Sequence, residues 1–211
     1  MRTILIGLLA LSLTGCSTMY YGAMEKVGVH KRDIMVDRVK AARDSQKDVT
    51  VVFSNALEQF KSVVHVKGGD LEAKYNKLNA TLQKSEAGAA EVRGRIEAVE
   101  SVSGALFKEW KAELKQYSSD ELRRASEQQL KNAQARYRTL IDAMKKAESR
   151  LEPVLQPLRD QVLFLKHNLN AKAIGSLTDE VVAIESKVDA LVRDMEAAIR
   201  EADAFIATLN P

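Results

Sequence analysis

A hydrophobic repeat in alternating steps of four and three residues runs through the middle of this chain and constrains its fold more than any other feature. On an α-helix these steps bring the repeated side chains onto one stripe, as in a coiled coil. The repeat predicts one helix over residues 71–117, about 70 Å long. Its positions are Leu71, Tyr75, Leu78, Leu82, Ser85, Ala89, Val92, Ile96, Val99, Ser103, Leu106 and Trp110.

Similar stripes predict three further helices, over residues 24–66, from residue 118 and from residue 177. Gly68 and Gly69 indicate the end of the first helix, since glycine accepts the left-handed conformation beyond a helix end. Gly175 lies in the turn before the last helix. Short connections make consecutive helices antiparallel. We therefore expect an all-α fold, an elongated antiparallel coiled-coil-like bundle of about four long helices.

The third predicted helix contains a possible interruption. It begins at Ser118, which has the spacing of a capping box with Glu121. Pro153 and Pro157 each remove a backbone donor and disfavour helical geometry in the residue before them. The helix is therefore broken or kinked there. The proline pair is either a hinge or bend, or a plain break at which one helix ends near Leu151 and another begins at Pro153.

The segment 162–165 contains four consecutive apolar residues, Val-Leu-Phe-Leu. Successive positions on a helix are 100° apart, so this run covers most of the circumference and not one stripe. It is either the buried centre of the bundle, which we favour, or an exposed patch that binds a partner. Phe164 and the nearby His167 are accordingly candidate interaction residues.

The N-terminus has the features of a bacterial lipoprotein signal peptide. Arg2 precedes an apolar run of ten residues, which is too short to span a bilayer as a mature helix. Leu13, Thr14, Gly15 and Cys16 then match the lipobox of that class. The resemblance implies a diacylglyceryl group on the Cys16 thiol, cleavage after Gly15 and acylation of the new amine. Each buried methylene contributes about 0.8 kcal/mol, so several acyl chains give almost permanent anchoring.

These features divide the chain into a signal peptide at residues 1–15, a lipidated tether at 16–23 and a helical bundle at 24–211. Ser17 follows the cysteine. In Gram-negative lipoproteins an aspartate at this position usually marks retention in the inner membrane, and serine resembles the exported default. We therefore expect the chain to be lipid-anchored at the periplasmic face of the outer membrane.

The chain offers no recognisable catalytic or metal-binding motif. His30, His65 and His167 lack the Glu-x-x-His spacing of di-iron bundles, and no second cysteine is present for a zinc site. The nearly even mixture of 32 basic and 29 acidic residues argues against a nucleic-acid-binding face. We expect no enzyme activity, no cofactor or metal, no nucleic-acid partner and no small-molecule substrate.

Three potential cations, His30, Lys31 and Arg32, lie close together near the start of the first predicted helix. They either contact anionic lipid headgroups or cell-wall polymer, or they form a solvated face of that helix, which is the commoner arrangement.

Five segments carry a family resemblance: 25–33 (EKVGVHKRD), 57–62 (LEQFKS), 106–110 (LFKEW), 116–119 (QYSS) and 161–170 (QVLFLKHNLN). Together they resemble an uncharacterised family of bacterial lipoproteins, domain of unknown function 2959. The resemblance spans most of the chain. It implies an envelope protein of Gram-negative bacteria and brings no established activity.

We therefore predict a non-enzymatic structural or interaction protein. Its lipid anchor would attach it to a membrane, and its helical rod would act as an adaptor or spacer toward another envelope protein or a second copy of itself. The alternative is a binder of cell-wall polymer or lipid that uses the basic residues near His30. The third class is a cryptic enzyme.

Overall fold

The computed structural model describes residues 15–26, 28–64, 71–168 and 177–209, with only the backbone of residues 15–19, 178 and 179. These residues contain helices and no β-strand, which confirms the all-α class. The helices are α1 (Gly15–Lys26), α2 (Lys31–Val64), α3 (Leu71–Glu113), α4 (Asp120–Glu148), α5 (Leu151–His167) and α6 (Thr178–Leu209). A single 3-10 turn, Leu114–Gln116, follows α3.

The long helices pack side by side in alternating directions. Ion pairs between α2 and α6 show this, because Arg43 pairs with Asp203 at 2.8 Å and Lys61 pairs with Glu185 at 2.6 Å. The helix α3 packs against α2 on one side and against α4 and α5 on the other, while α6 contacts α2, α4 and α5. The prediction of an elongated antiparallel bundle is therefore confirmed. We call the end with the α3–α4 connection the basal end and the opposite end the distal end.

The predicted stripe on α3 forms the centre of this bundle. Eight of its positions, from Leu78 to Ser103, are buried, and the outer four are partly buried. Most of the buried side chains are aliphatic, and fully burying each such group contributes about 1.5–3 kcal/mol. Two buried serines satisfy their hydroxyls locally, since Ser85 donates to the carbonyl of Thr81 and Ser103 to that of Val99.

The first predicted helix is interrupted near its start. The structure ends α1 at Lys26 and begins α2 at Lys31, so the expected helix over 24–66 is two helices. Gly28 has a φ of 85°, and the N–H of Val29 donates to the carbonyl of Met24 at 3.0 Å. This is the bond of a Schellman motif, which ends a helix at a left-handed glycine. The expected tether at 16–23 is likewise helical and belongs to α1.

The third predicted helix is divided into α4 and α5, so the helices outnumber the four expected. Helix α4 starts one residue later than the predicted cap, because Ser119 and not Ser118 accepts the N–H of Leu122, at 3.3 Å. The break falls at Ser149 and Arg150, just before Pro153. A proline ring clashes with the carbonyl four residues earlier, which here is Ser149. Pro157 lies inside α5, and the helix continues through it.

Glycine-to-alanine changes on α3 test how closely it approaches α2. At Gly94 a Cβ atom meets nothing within 4 Å, so alanine should raise the free energy of unfolding by about 0.8–1 kcal/mol through helix propensity. At Gly88 the Cβ would lie 2.8 Å from Cγ2 of Val49, whose χ1 is stiff, so this gain should be lost. Urea denaturation followed by circular dichroism measures both. Equal gains would contradict the tight α2–α3 contact.

A second stability test concerns Gln46 on α2. Its side chain is completely buried, and neither amide atom has a hydrogen-bond partner among the described residues. An unsatisfied buried polar group costs about 1–3 kcal/mol, so Gln46→Met should raise the unfolding free energy by that order. The exposed Gln156 provides the control, because Gln156→Met should change it by less than about 0.5 kcal/mol. Destabilisation by Gln46→Met would mean that the amide is satisfied in solution.

Candidate functional site

The proposed lipidation site lies at the edge of the described region. Leu13 and Thr14 fall outside it. Gly15 and Cys16 form the start of α1, where the structure describes the backbone alone. The structure therefore gives the position of the Cys16 backbone in α1 but not that of its side chain.

An ion-pair cluster around Lys31 attaches α1 to the bundle. The Lys31 ammonium lies 2.5 Å from Oε1 of Glu25, at the end of α1, and 2.9 Å from Oε1 of Glu109, on α3. The Lys31 side chain is only 10% exposed. One cation thus connects three helices, and its charge is compensated by two carboxylates. Lys31 is therefore occupied within the fold, in contrast to the expectation that it could face a headgroup.

The titration behaviour of this cluster follows from its geometry. Burial disfavours the charged ammonium, but the hydrogen bonds to Glu25 and Glu109 outweigh this cost and raise the pKa of Lys31. The Lys31 hydrogen bond is also the main reason that the pKa of Glu25 is lowered. The attachment is therefore retained above the ordinary carboxyl range. It is lost as the pH falls through the lowered pKa of Glu25, or rises through the raised pKa of Lys31.

A second contact fixes the direction of α1. Tyr21 is buried, with 6% of its surface exposed, and its hydroxyl lies 3.1 Å from the Ser101 hydroxyl on α3. Glu25 and Glu109 meet at Lys31 further toward the basal end. From the first contact to the second, the residue numbers increase along both α1 and α3. The two helices therefore run parallel, with α1 against the side of α3.

The remaining basic candidates stay exposed. The Arg32 side chain is 63% exposed, and its ion pair with the neighbouring Asp33 is long, at 3.7 Å. His30 is also exposed. Of the three predicted cations, Arg32 and His30 are therefore accessible to a ligand or surface.

The apolar run on α5 is divided between core and solvent. Val162 and Leu165 are buried, as the favoured interpretation predicted, but Leu163 is 61% and Phe164 is 40% exposed. His167 is exposed at the end of α5. A helix presents successive residues 100° apart, so a run of four cannot face the core throughout. The expectation that the whole run is buried is therefore wrong for its two middle residues.

A cleft of about 600 Å³ lies at the basal end, between α2, α3, α4 and α6. We call it the basal cleft. Its apolar wall comes from Met35, Leu106, Phe107, Trp110, Ala133, Phe205 and Leu209, and its polar residues are Arg32, Gln129, Asn132, Arg136 and Thr208. No carboxylate lines it. This volume falls within the range of about 300–1,000 Å³ that is typical of small-molecule sites.

Several contacts hold the wall of the basal cleft in place. The indole N–H of Trp110 donates to the hydroxyl of the buried Ser126 at 2.8 Å. The ring of Phe107 meets that of Tyr137 edge to face, with centroids 5.5 Å apart. Such aromatic pairs contribute about 0.5–1.5 kcal/mol beyond area burial. The cleft is therefore formed by fixed side chains.

Sequence reasoning identified only Arg32 among the polar residues of the basal cleft. Trp110 was assigned to the α3 stripe, and neither Arg136 nor Phe205 was singled out. These residues come from α3, α4 and α6, so only the packing of the helices brings them together. The single sequence signal was Trp110, the only tryptophan of the chain, at the end of the α3 stripe.

Two further properties concern the described part of the chain. No group of three His, Cys, Asp or Glu side chains there is arranged to hold a metal ion. None of its helices combines the length and apolar character needed to cross a bilayer.

Comparison with known proteins identifies the family and no activity. A search of curated proteins finds no significant match. The model of a family described as protein of unknown function (DUF2959) matches residues 20–209. Because this match covers almost the entire chain, the protein belongs to the DUF2959 family.

Proposed function

We propose that this chain is a lipoprotein anchored through acyl chains on Cys16 to the periplasmic face of the outer membrane of a Gram-negative bacterium. There it acts as a non-enzymatic adaptor that binds another envelope protein. The lipobox at residues 13–16 supports the anchor, and Ser17 supports the outer membrane. The adaptor role is supported by the surface of the bundle.

Exposed apolar side chains near the distal end carry the adaptor proposal. Leu163 and Phe164 on α5 are 61% and 40% exposed, and Val182 on α6 is 70% exposed. Covering such surface yields about 25 cal/mol per Å², and exposed apolar patches often mark interaction sites. A partner protein is the occupant that this surface suits.

These side chains lie at a similar level of the bundle. Arg150 and Asp194 pair across α5 and α6 at 2.9 Å. Leu163 lies thirteen residues beyond Arg150, and Val182 lies twelve residues before Asp194. The two helices are antiparallel, so counting up from Arg150 and counting down from Asp194 both lead toward the distal end. Leu163 and Val182 therefore lie at nearly equal distances from the ion pair along the bundle. One partner could therefore contact both helices.

The course of α1 favours an adaptor that lies along the membrane over a spacer that stands on it. Cys16 precedes Tyr21 by five residues, which places it about 7.5 Å further toward the distal end than the Tyr21–Ser101 contact. This point lies beside the middle of α3 and at neither end of the rod. An acyl group attached there, with α1 in place, brings the side of the rod to the lipid surface.

Substitution of the cysteine tests the anchor. Cys16→Ser should abolish incorporation of radiolabelled palmitate and remove the chain from the outer-membrane fraction, because the thiol that carries the acyl group is absent. The control Thr18→Ala, two residues away, should behave as wild type in both assays. Palmitate labelling that persists in Cys16→Ser would rule out the proposed attachment.

Photo-crosslinking in intact cells tests the adaptor role. A benzophenone amino acid in place of Leu163 or Val182 should give the same crosslinked product, since both positions would contact one partner. The exposed residues Gln156 on α5 and Lys187 on α6 are the matched controls and should not give it. Equal products at all four positions, or none at any, would contradict the adaptor proposal.

A further inference from the structure

We propose that the basal cleft binds one acyl chain with an anionic headgroup, such as a free fatty acid or a lysophospholipid. This inference does not depend on the anchor at Cys16 or on the adaptor role. It rests on the shape, the apolar wall and the charge of the cleft. It gives the alternative of a lipid ligand near His30 a defined site, formed by residues that the sequence did not bring together.

The wall of the basal cleft suits a hydrocarbon chain. Phe107 and Trp110 are only partly buried, so their rings present apolar surface to the cleft. Met35 and Phe205 lie almost completely buried in the same wall, with 1% and 4% exposure. The indole N–H of Trp110 is already used by Ser126, so its ring offers the cleft mainly apolar surface. Binding a chain here removes apolar surface from water on both sides. A cell-wall glycan would instead need closely spaced polar groups along the wall.

The charge of the basal cleft suits an anionic headgroup. Arg32 reaches it from α2 and Arg136 from α4, so two guanidinium groups come from different helices. Arg136 forms no ion pair within the described residues, and Arg32 has only the long contact with Asp33. Arginine binds carboxylate and phosphate through paired N–H donors. Carboxylate and phosphate headgroups share this chemistry, so fatty acids and lysophospholipids both fit.

Other nearby acids do not remove this positive charge. Glu109, on the same stretch of α3 as Trp110, is held by Lys31 at 2.9 Å. Glu201 lines a smaller adjoining cleft of about 220 Å³ together with Arg136 and does not line the basal cleft itself. The Lys31 cluster thus neutralises Glu25 of α1 and Glu109 of α3, and neither carboxylate lines the basal cleft.

The fluorescence of Trp110 provides a direct test, because it is the only tryptophan in the chain. The full chain is purified and mixed with nanodiscs of a zwitterionic phospholipid. Dibromostearic acid or a brominated lysophosphatidylglycerol is then titrated in, since bromine quenches nearby indole rings. We expect saturable quenching by at least one of these anionic probes, and the stronger of the two identifies the headgroup.

Matched variants separate binding in the cleft from partition into the lipid. Arg136→Gln, and more so Arg32→Gln with Arg136→Gln, should raise the apparent Kd about tenfold or more, because charge-assisted hydrogen bonds are lost. Arg138→Gln removes the same charge from an exposed position of α4 outside the cleft and should leave the Kd unchanged. Ala133→Phe, which fills the cleft, should abolish saturation.

The neutral methyl ester of the brominated acid completes the test and should bind at least about tenfold more weakly than the acid. Thermal unfolding shows whether each variant is folded. If Ala133→Phe does not fold, the arginine variants still decide the test. Quenching that rises linearly with probe and is equal in all variants reports the bilayer alone and overturns the proposal. Equal affinity for acid and ester overturns it as well.

Discussion

The contact between α2 and α3 is the constraint on which the rest of the bundle depends. A helix of more than 30 residues with one apolar stripe must bury that stripe, and these two helices share the largest interface in the structure. Small residues on α3 let the backbones approach, to the point where a Cβ on Gly88 would lie 2.8 Å from Val49. The outer helices then complete the enclosure, since α4 and α5 cover α3 and α6 covers α2. The free energy gained by burying this apolar surface outweighs the cost of the buried, unsatisfied amide of Gln46.

The elements that could be predicted are those set by local periodicity. The stripe on α3 continues without a gap over eleven steps of three or four residues. Its central positions, from Leu78 to Ser103, are buried in the structure. A break before Pro153 was one of the two alternatives that the sequence left open, and it was expected between Leu151 and Pro153. It falls at Ser149 and Arg150, because the ring of Pro153 clashes with the carbonyl four residues earlier. The reversal at Gly28 was missed because a lone glycine in a helical pattern does not by itself indicate a left-handed conformation.

The candidate sites were harder to predict because they depend on which helices meet. Lys31 looked like a surface cation in sequence, and only the meeting of Glu25 and Glu109 shows it to be occupied. Leu163 and Phe164 lie between the buried Val162 and Leu165 in the chain and still face solvent. The basal cleft combines two to four residues from each of four helices, and these residues form no sequence motif. Periodicity assigns residues to a stripe, whereas a cleft arises where neighbouring stripes diverge.

The ion-pair cluster and the basal cleft are linked through adjacent residues. Lys31 binds α1 and α3, and the next residue, Arg32, lines the cleft. The end of α1 is therefore attached, through Glu25, to the residue that precedes Arg32. Under the proposed anchor at Cys16, α1 covers about 15 Å along the rod between the acylated residue and this region, so an acyl ligand that leaves the membrane has a short path to the arginines. The same cluster that directs α1 along α3 also fixes the distance between the anchor and the ligand site. Loss of Lys31 would remove the only ion pairs in the described region that connect α1 to the bundle, and the buried Tyr21 with its Ser101 contact would then hold α1 against α3 alone.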